Sequence, residues 1–550
     1  MLKQNDIVIY TAEAYSNAET VGKVGDTTVF VPLMIVGEQA RVKINYAKKG
    51  VAYGDAVELL KSSSNRVKAQ CGSFGSCGGC SLCHMSYGEQ LNFKRNKVKN
   101  NLLKIAKSDA EVLPCVASPK RFHYRNKISL PVSGKRGDVI IGMYKRNSHQ
   151  VVNIKQCSLV GEWAAVLINI FKIYCDENQI IPYDEKTFTG EVRHLTARYI
   201  DGQLLVTIVS NGEFKRDLHP LIEALKNYFE KFGLFINVNT YKNNVILGEI
   251  TRHVYGLEYI ESECSGVKTR VSPNSFFQVN DEVKDLIYSK TRELLDLAET
   301  EVLIDCFSGV GVLTNALSCD KFETYAIEME PAAVKNACET AELNRNKITN
   351  ICGDVNIELP NLTQKLSNKK TTVVVDPPRK GLGEKICRTL LCSNVDEIVY
   401  VSCDSATLAR DVAVLTARYN INYVQPFDMF PQTDNVETLV HLSKKSQTSH
   451  IEVDVEFGEG EGLFSLKKVK QHAEARKPKE KVTYKMIKDY IENTYGFKVH
   501  TAYIAEVKHD LGLPMYDAPN AVEQLKRPRQ HPTPKMVEAI KETLKHFEIL

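Results

Sequence analysis

The sequence predicts a multidomain protein built around a doubly wound, Rossmann-like α/β domain, with a small OB-like β-barrel at its start and a small helical module at its end. Three observations predict it. The chain has 550 residues, three to four times the ~150 residues of a typical domain. From about residue 283, fully apolar runs of strand length alternate with helix-length stretches, the pattern of a parallel sheet covered on both faces. The first 60 residues instead show short β-rich runs separated by glycine turns, which suit a small barrel. Apolar residues make up 43% and charged residues 25%, ordinary globular values that argue against disorder, collagen-like repeats or a coiled coil. No stretch approaches the ~18 uninterrupted apolar residues of a membrane helix, and the start Met1-Leu2-Lys3-Gln4-Asn5-Asp6 has no signal-peptide core. The chain is therefore expected to be cytoplasmic, without a membrane or protein partner, and monomeric.

Residues 1–60 hold the strand-like runs Ile7–Tyr10, Thr27–Val31 and Ala40–Ile44. Residues 61–282 read as an α+β region that opens with a cysteine cluster and a helical run from Tyr87 to Lys107. Its first hundred residues, 61–160, carry 18 basic and 4 acidic groups. That local excess is the footprint of a phosphate-rich partner, whereas the rest of the chain is net acidic. Residues 283–443 form the α/β domain. A charged, Gly- and Lys-rich linker follows over 444–481, with one strand expected at Ile451–Phe457. Residues 482–550 read as a helix-turn-helix-like module. One helix is capped by Thr483 and stopped by Gly496; a second is capped by Thr501 and stopped by Gly512.

In the α/β domain, chemistry collects where the apolar strands end. Asp305-Cys306-Phe307-Ser308-Gly309-Val310-Gly311 closes one strand and opens a helix, and its glycines let a ligand approach the backbone. Glu328 ends the next strand, where a carboxylate can accept from both hydroxyls of a ribose. Position 314 is Thr rather than the third glycine of a dinucleotide fingerprint, which favours S-adenosylmethionine over NAD. Asp376-Pro377-Pro378-Arg379-Lys380-Gly381 and Ser402-Cys403-Asp404 follow two further strands. Ligands of such sheets sit outside the carboxyl ends of the strands, so Gly309, Glu328, Asp376 and Cys403 should share one cleft. Glu437, at the edge of a last strand, would give a thiol at Cys403 its companion base.

Cys71, Cys77 and Cys80 place three soft ligands within ten residues. Thiolate-rich sets suit zinc or iron-sulfur clusters, and spacing does not separate the two. The fourth ligand stays open, with Cys83 continuing the C-x2-C rhythm. The runs Lys94–Lys99 and Lys120–Lys127 mix cations with aromatics, a composition suited to phosphate contact and base stacking.

With these residues in hand, the chain resembles the RNA uracil-5-methyltransferases, and most closely the ribosomal-RNA branch that carries a TRAM domain and a 4Fe-4S cluster. The matching segments are Cys71 with Cys77-Gly78-Gly79-Cys80, Tyr124-Arg125-Asn126-Lys127, Ser275-Phe276-Phe277-Gln278-Val279-Asn280, Asp376 to Gly381, Tyr400-Val401-Ser402-Cys403, and Asp428-Met429-Phe430-Pro431 with Val436-Glu437. The resemblance spans residues 1 to about 442. It implies that residues 1–60 are a TRAM domain and that Cys71, Cys77, Cys80 and Cys157 hold the cluster. Gln278, Phe307, Glu328 and Asp376 would bind S-adenosylmethionine. Cys403 would add to C6 of the uracil, C5 would take the methyl group, and Glu437 would remove the C5 proton. The implied substrate is 23S ribosomal RNA, with transfer RNA as the alternative and a non-catalytic iron-sulfur RNA-binding protein as the reading from another class. Val312, Asp404 and Asn435 depart from the family pattern. Asp404 would oppose thiolate formation at Cys403 if it pointed inward.

Overall fold

The computed structural model describes residues 2–295, 299–445, 484–511 and 531–547. Met1–Thr448 form one compact unit and Ser449–Leu550 a second. No helix among the described residues is long and apolar enough to cross a membrane.

The first unit begins with six strands, β1 (Ile7–Thr11), β2 (Ala14–Ser16), β3 (Glu19–Val24), β4 (Thr27–Pro32), β5 (Gln39–Lys48) and β6 (Val51–Lys61). They form a single sheet ordered β1-β5-β6-β4-β3-β2. Period-two alternation puts Val29 and Val31 of β4 and Ala40, Val42 and Ile44 of β5 on one face, where they bury Tyr10 and Met34. The sheet curls until the Glu13 N–H donates to the Val21 carbonyl at 3.0 Å. Gly22 permits this approach, because a Cβ there would lie 2.1 Å from the Thr11 carbonyl oxygen.

After the cysteine segment comes helix α1 (Tyr87–Asn101), prolonged by a π-helical turn over Leu102–Ala106 and ended by Lys107 at φ 55°. The next elements are β7 (Lys127–Lys135), β8 (Asp138–Tyr144), β9 (Val151–Asn153), α2 (Glu162–Glu177), β10 (Val192–Ile200), β11 (Gln203–Ser210), α3 (His219–Lys226), β12 (Lys231–Val238) and β13 (Ile250–Gly256). Their seven strands are ordered β13-β12-β11-β10-β7-β8-β9. Leu167 and Phe171 of α2 and Leu221 and Leu225 of α3 share a core with Leu204, Val206 and Ile208 of β11. A hairpin, β14 (Ile260–Cys264) and β15 (Val267–Val271), leads into the last part of the unit.

Helix α4 (Asp281–Leu294) is capped by the Asn280 side chain. Strands β16 (Val302–Cys306), β17 (Glu323–Glu328), β18 (Ile348–Cys352), β19 (Thr371–Val375), β20 (Val395–Ser402), β21 (Tyr419–Phe427) and β22 (Glu437–Lys444) alternate with helices α5 (Val312–Leu317), α6 (Pro331–Asn344), α7 (Val355–Lys365), α8 (Gly383–Cys392) and α9 (Ser405–Leu415). The strand order is β18-β17-β16-β19-β20-β22-β21, with β16 to β20 parallel and β22 antiparallel to both its neighbours. This is the doubly wound sheet expected from the apolar runs. The chain winds outward from β16 in one direction and from β19 in the other, so a crevice opens where these two strands end.

Two features depart from the sequence reading. Helix α1 belongs in packing terms to the α/β sheet: Val98 and Leu102, with Val112, share a core with Ile304 and Tyr400. The basic runs are also less exposed than their composition suggests. Lys94 is fully buried, pairs with the equally buried Asp428 and donates to the Phe430 carbonyl at 2.9 Å. Tyr124 and Asn126 are buried as well, and Asn126 donates to the Gln278 carbonyl at 3.0 Å. These residues fasten elements together instead of facing a partner.

In the second unit, α10 (Tyr484–Tyr495), α11 (Thr501–Asp510) and α12 (Pro534–His546) enclose Ile487, Ile491, Ile504, Val507, Ile540 and Leu544. Two helices were expected and three are present among the described residues. His500, not Thr501, caps the second, accepting the Ala502 N–H at 3.2 Å. Gly496 adopts φ 75° after α10, as its stop role requires. The expected strand Ile451–Phe457, the cap Thr483 and the stop Gly512 lie outside the described residues.

Removing one member of a buried ion pair leaves the other charge dry and unpaired. Lys94→Met should therefore cost ~3–5 kcal/mol of unfolding free energy, read as a lowered urea midpoint. The double substitution Lys94→Met with Asp428→Leu should lose less than the single one.

Candidate active site

The loop after β16 is built by backbone conformations that few residues tolerate. Phe307, Gly309 and Gly311 stand at φ 66°, 56° and 77°. A Cβ on Gly311 would press on Ala337 at 3.2 Å, while the space beside Gly309 is open. Glu328 holds the loop from the next strand: its Oε2 accepts the Gly309 N–H at 3.0 Å, and its Oε1 accepts the N–H groups of Met329 and Glu330 at 2.8 and 2.9 Å. Glu328 thus shapes the loop as well as facing the crevice. Gln278, Phe307, Glu328, Asp376, Cys403 and Glu437 all line one cavity of about 840 Å³, as the strand-end argument requires.

Its far wall is anchored from α9. Asp411 accepts from the Tyr400 hydroxyl at 2.9 Å and from the Leu382 N–H at 2.7 Å. Gly381, at φ 74°, lets the Asp376–Gly381 loop pass close above, since a Cβ there would sit 2.4 Å from Asp411 Oδ2. Asp404 turns away from the thiol. Its Oδ1 accepts the N–H groups of Ala406 and Thr407 at 3.0 and 2.9 Å, capping α9. The inward orientation feared for this residue is not found.

The cavity favours neutral carboxyl groups. Desolvation lifts Asp305 to about 7, although the Thr314 hydroxyl donates to it at 2.5 Å. Desolvation also lifts Asp376 to about 7. Glu437 is only 2% exposed, its Oε1 has no hydrogen-bond partner, and burial followed by the nearby Asp376 holds its pKa far above the usual carboxylate range. Burial first, then Glu437 and Asp376, push the Cys403 thiol up to about 11; Arg379 opposes this. At rest the pair is a thiol beside a protonated acid.

A second cavity, of about 160 Å³, is lined by Cys71, Cys77, Cys80, Cys83 and Cys157. Among the described residues, no three His, Cys, Asp or Glu side chains converge so as to hold a single metal ion. The thiols are neighbours on the cavity wall: Cys80 is hydrogen-bonded to Cys83, and Cys71, Cys80 and Cys157 all act on Cys77. Burial raises the Cys77 thiol to about 11 and raises Cys157 as well.

Residues 86–445 match the family model described as tRNA (Uracil-5-)-methyltransferase. The chain belongs to this family. An uncharacterized RNA methyltransferase of Clostridium tetani is 36% identical over 450 residues, covering 80% of this chain and 97% of that protein. One from Halalkalibacterium halodurans is 34% identical over 452 residues, covering 81% and 98%. Among solved structures, the Pyrococcus abyssi tRNA (uracil-54, C5)-methyltransferase in complex with S-adenosyl-L-homocysteine superposes with a TM-score of 0.64 at 29% identity, over 78% of this chain and 98% of its own.

The geometry of this uracil-5-methyltransferase adds two groups to which the sequence gave no role, Asp305 and Arg379. Asp305 was visible as the polar end of an apolar strand. Arg379 was hidden among the charges of its loop, and only the fold sets its cation against Cys403 and Glu437.

Two consequences can be measured. Arg379→Ala should slow iodoacetamide alkylation of Cys403 at pH 8, and Asp376→Asn should speed it, as read on the Cys403 peptide by mass spectrometry. Asp305 keeps its proton to about 7 when folded and only to ~3.9 when unfolded, so the folded state binds more protons between these values. Its contribution to stability is complete below ~4 and is lost as pH rises through about 7. Asp305→Asn should therefore raise Tm more at pH 8 than at pH 5.

Proposed function

We propose that this enzyme transfers the methyl group of S-adenosylmethionine to C5 of a uridine in 23S ribosomal RNA. The observation that carries the reading is the convergence of Cys403, Glu437 and Asp376 in one cavity with the glycine loop. Cofactor fit is supported by the open space at Gly309 and by Asp376, whose desolvated carboxyl would gain from a cationic sulfonium. Gln278, Phe307 and Glu328 complete the lining.

C5 of uracil is a weak nucleophile, so Cys403 must first add as thiolate to C6, making C5 electron-rich. C5 then takes the methyl group. The resting protons of Cys403 and Glu437 pass to water on activation; the Glu437 carboxylate then removes the C5 proton, and the C6–S bond breaks to release the Cys403 thiolate and the 5-methylated pyrimidine. Arg379 favours both charged forms. Because Glu437 is nearly inaccessible, the uracil has to enter the cavity out of its stack.

Cys71, Cys77, Cys80 and Cys157 would hold a 4Fe-4S cluster. What supports this is a cavity lined by these four cysteines, a soft thiolate set of the kind that holds iron-sulfur clusters. When bound, the cluster supplies a cross-link between loops. Methyl transfer moves no net electrons, so no step passes through it.

Ribosomal RNA is supported by the combination of the cysteine set with an N-terminal β-sheet of TRAM-like position. Transfer RNA is the second reading, favoured by the likeness to the tRNA (uracil-54, C5)-methyltransferase. Incubation with methyl-labelled S-adenosylmethionine and unmodified 23S ribosomal RNA should put label into 5-methyluridine. Label in transfer RNA alone would move the substrate. Cys403→Ala should abolish transfer while RNA binding persists, and Glu437→Gln should accumulate a covalent protein-RNA adduct on denaturing gels.

A further inference from the structure

We infer that Ser81 and Asp434 are positioning residues that couple the cysteine segment to the catalytic carboxylate, a role that rests on the reading of Glu437 as the base. Ser81 adjoins Cys80, and Asp434 lies three residues before Glu437. The two are bonded reciprocally: the Ser81 hydroxyl donates to Asp434 Oδ1 at 2.9 Å, and the Asp434 N–H donates to Ser81 Oγ at 2.9 Å. Two more bonds extend the contact, from the Ser81 and Leu82 N–H groups to the Gln432 carbonyl at 3.1 and 3.0 Å. Lys97 closes it from α1, donating to the Asp434 carbonyl at 2.9 Å.

The physical consequence follows from where these bonds fall. The segment Cys71–Cys83 contains no regular helix or strand and is held by turns and isolated bonds such as that from the Gly78 N–H to the Tyr144 carbonyl at 2.9 Å, so a group bound by its cysteines would add to its order. The segment 428–436 is likewise a loop; it presents Phe430 and Asn435 to the cavity and leads directly into Glu437, the first residue of β22. Two loops without internal ladders are thus joined by four hydrogen bonds, and order imposed on Cys80 passes through Ser81 to the approach of Glu437. Glu437 gains nothing chemical from this link; it gains a fixed position, on which proton abstraction depends.

The test is hydrogen exchange in the segment 428–437 of the full-length protein, with and without iron removal by ferricyanide and chelator. Removal should speed exchange there in the wild-type chain, and Ser81→Ala with its iron intact should exchange about as fast as the iron-free wild type. In turnover, Ser81→Ala should lower kcat roughly 10- to 100-fold with KM for both substrates and the visible cluster absorbance unchanged, and Ser81→Thr, which keeps the hydroxyl, should recover it. Should Ser81→Ala lose the absorbance, Asp434→Ala, remote in sequence from every cysteine, carries the same comparison. Unchanged exchange on iron removal, or wild-type kcat in these variants, overturns the coupling. Absence of methylation by the wild-type chain on any RNA would instead overturn the proposed function and leave the exchange result to decide the coupling by itself.

Discussion

Lys94 and Asp428 meet with both side chains fully withdrawn from water, and the arrangement of the active site depends on that meeting. A dry ion pair tolerates little displacement, because any gap leaves two charges without solvent. It fixes α1 against the start of the loop that ends at Glu437. The same helix reaches the turn that carries Cys403, since Asn101 donates to the Ser405 hydroxyl at 2.8 Å, two residues further on. Cys403 and Glu437, the proposed nucleophile and base, sit at the ends of different strands and are thus referenced to one helix from outside the sheet. Gln90 adds a third tie, donating to Gln432 Oε1 and accepting the Gln432 N–H, each at 3.0 Å.

The electrostatics of the cavity follow from packing acids into a dry crevice. Asp305, Asp376 and Glu437 all resist ionisation, burial being the principal cause for each. Raising these three groups lowers the cost of buried anions and lets them stabilise a cation in the cavity by releasing protons. The same logic explains why Asp404 does no harm beside Cys403: its charge is satisfied by the α9 N-terminus.

Much of this was legible in the chain. The runs ending at Cys306, Glu328, Val375 and Ser402 are apolar because parallel strands are buried on both faces, and the residues that follow them must then meet at one edge. Strand β18 escaped notice because it forms the edge of the sheet and its residues Ile348–Cys352 include no buried position. The third helix of the second unit escaped because its apolar positions are spaced among five Lys and Glu residues. The basic runs misled for another reason: charge composition reports a lysine's presence but not whether a carboxylate over three hundred residues away will bury it.

By itself, the sequence determined the strand ends, the glycine loop, the thiol and carboxyl groups and the cysteine set, because local period and residue chemistry are written position by position. Only the tertiary structure decided that α1 covers the α/β sheet, that Lys94 is a fastener, that Asp404 is a cap and that Ser81 touches Asp434. Each of these is a contact between distant segments, chosen by which faces can be dried together and which polar groups can then be satisfied.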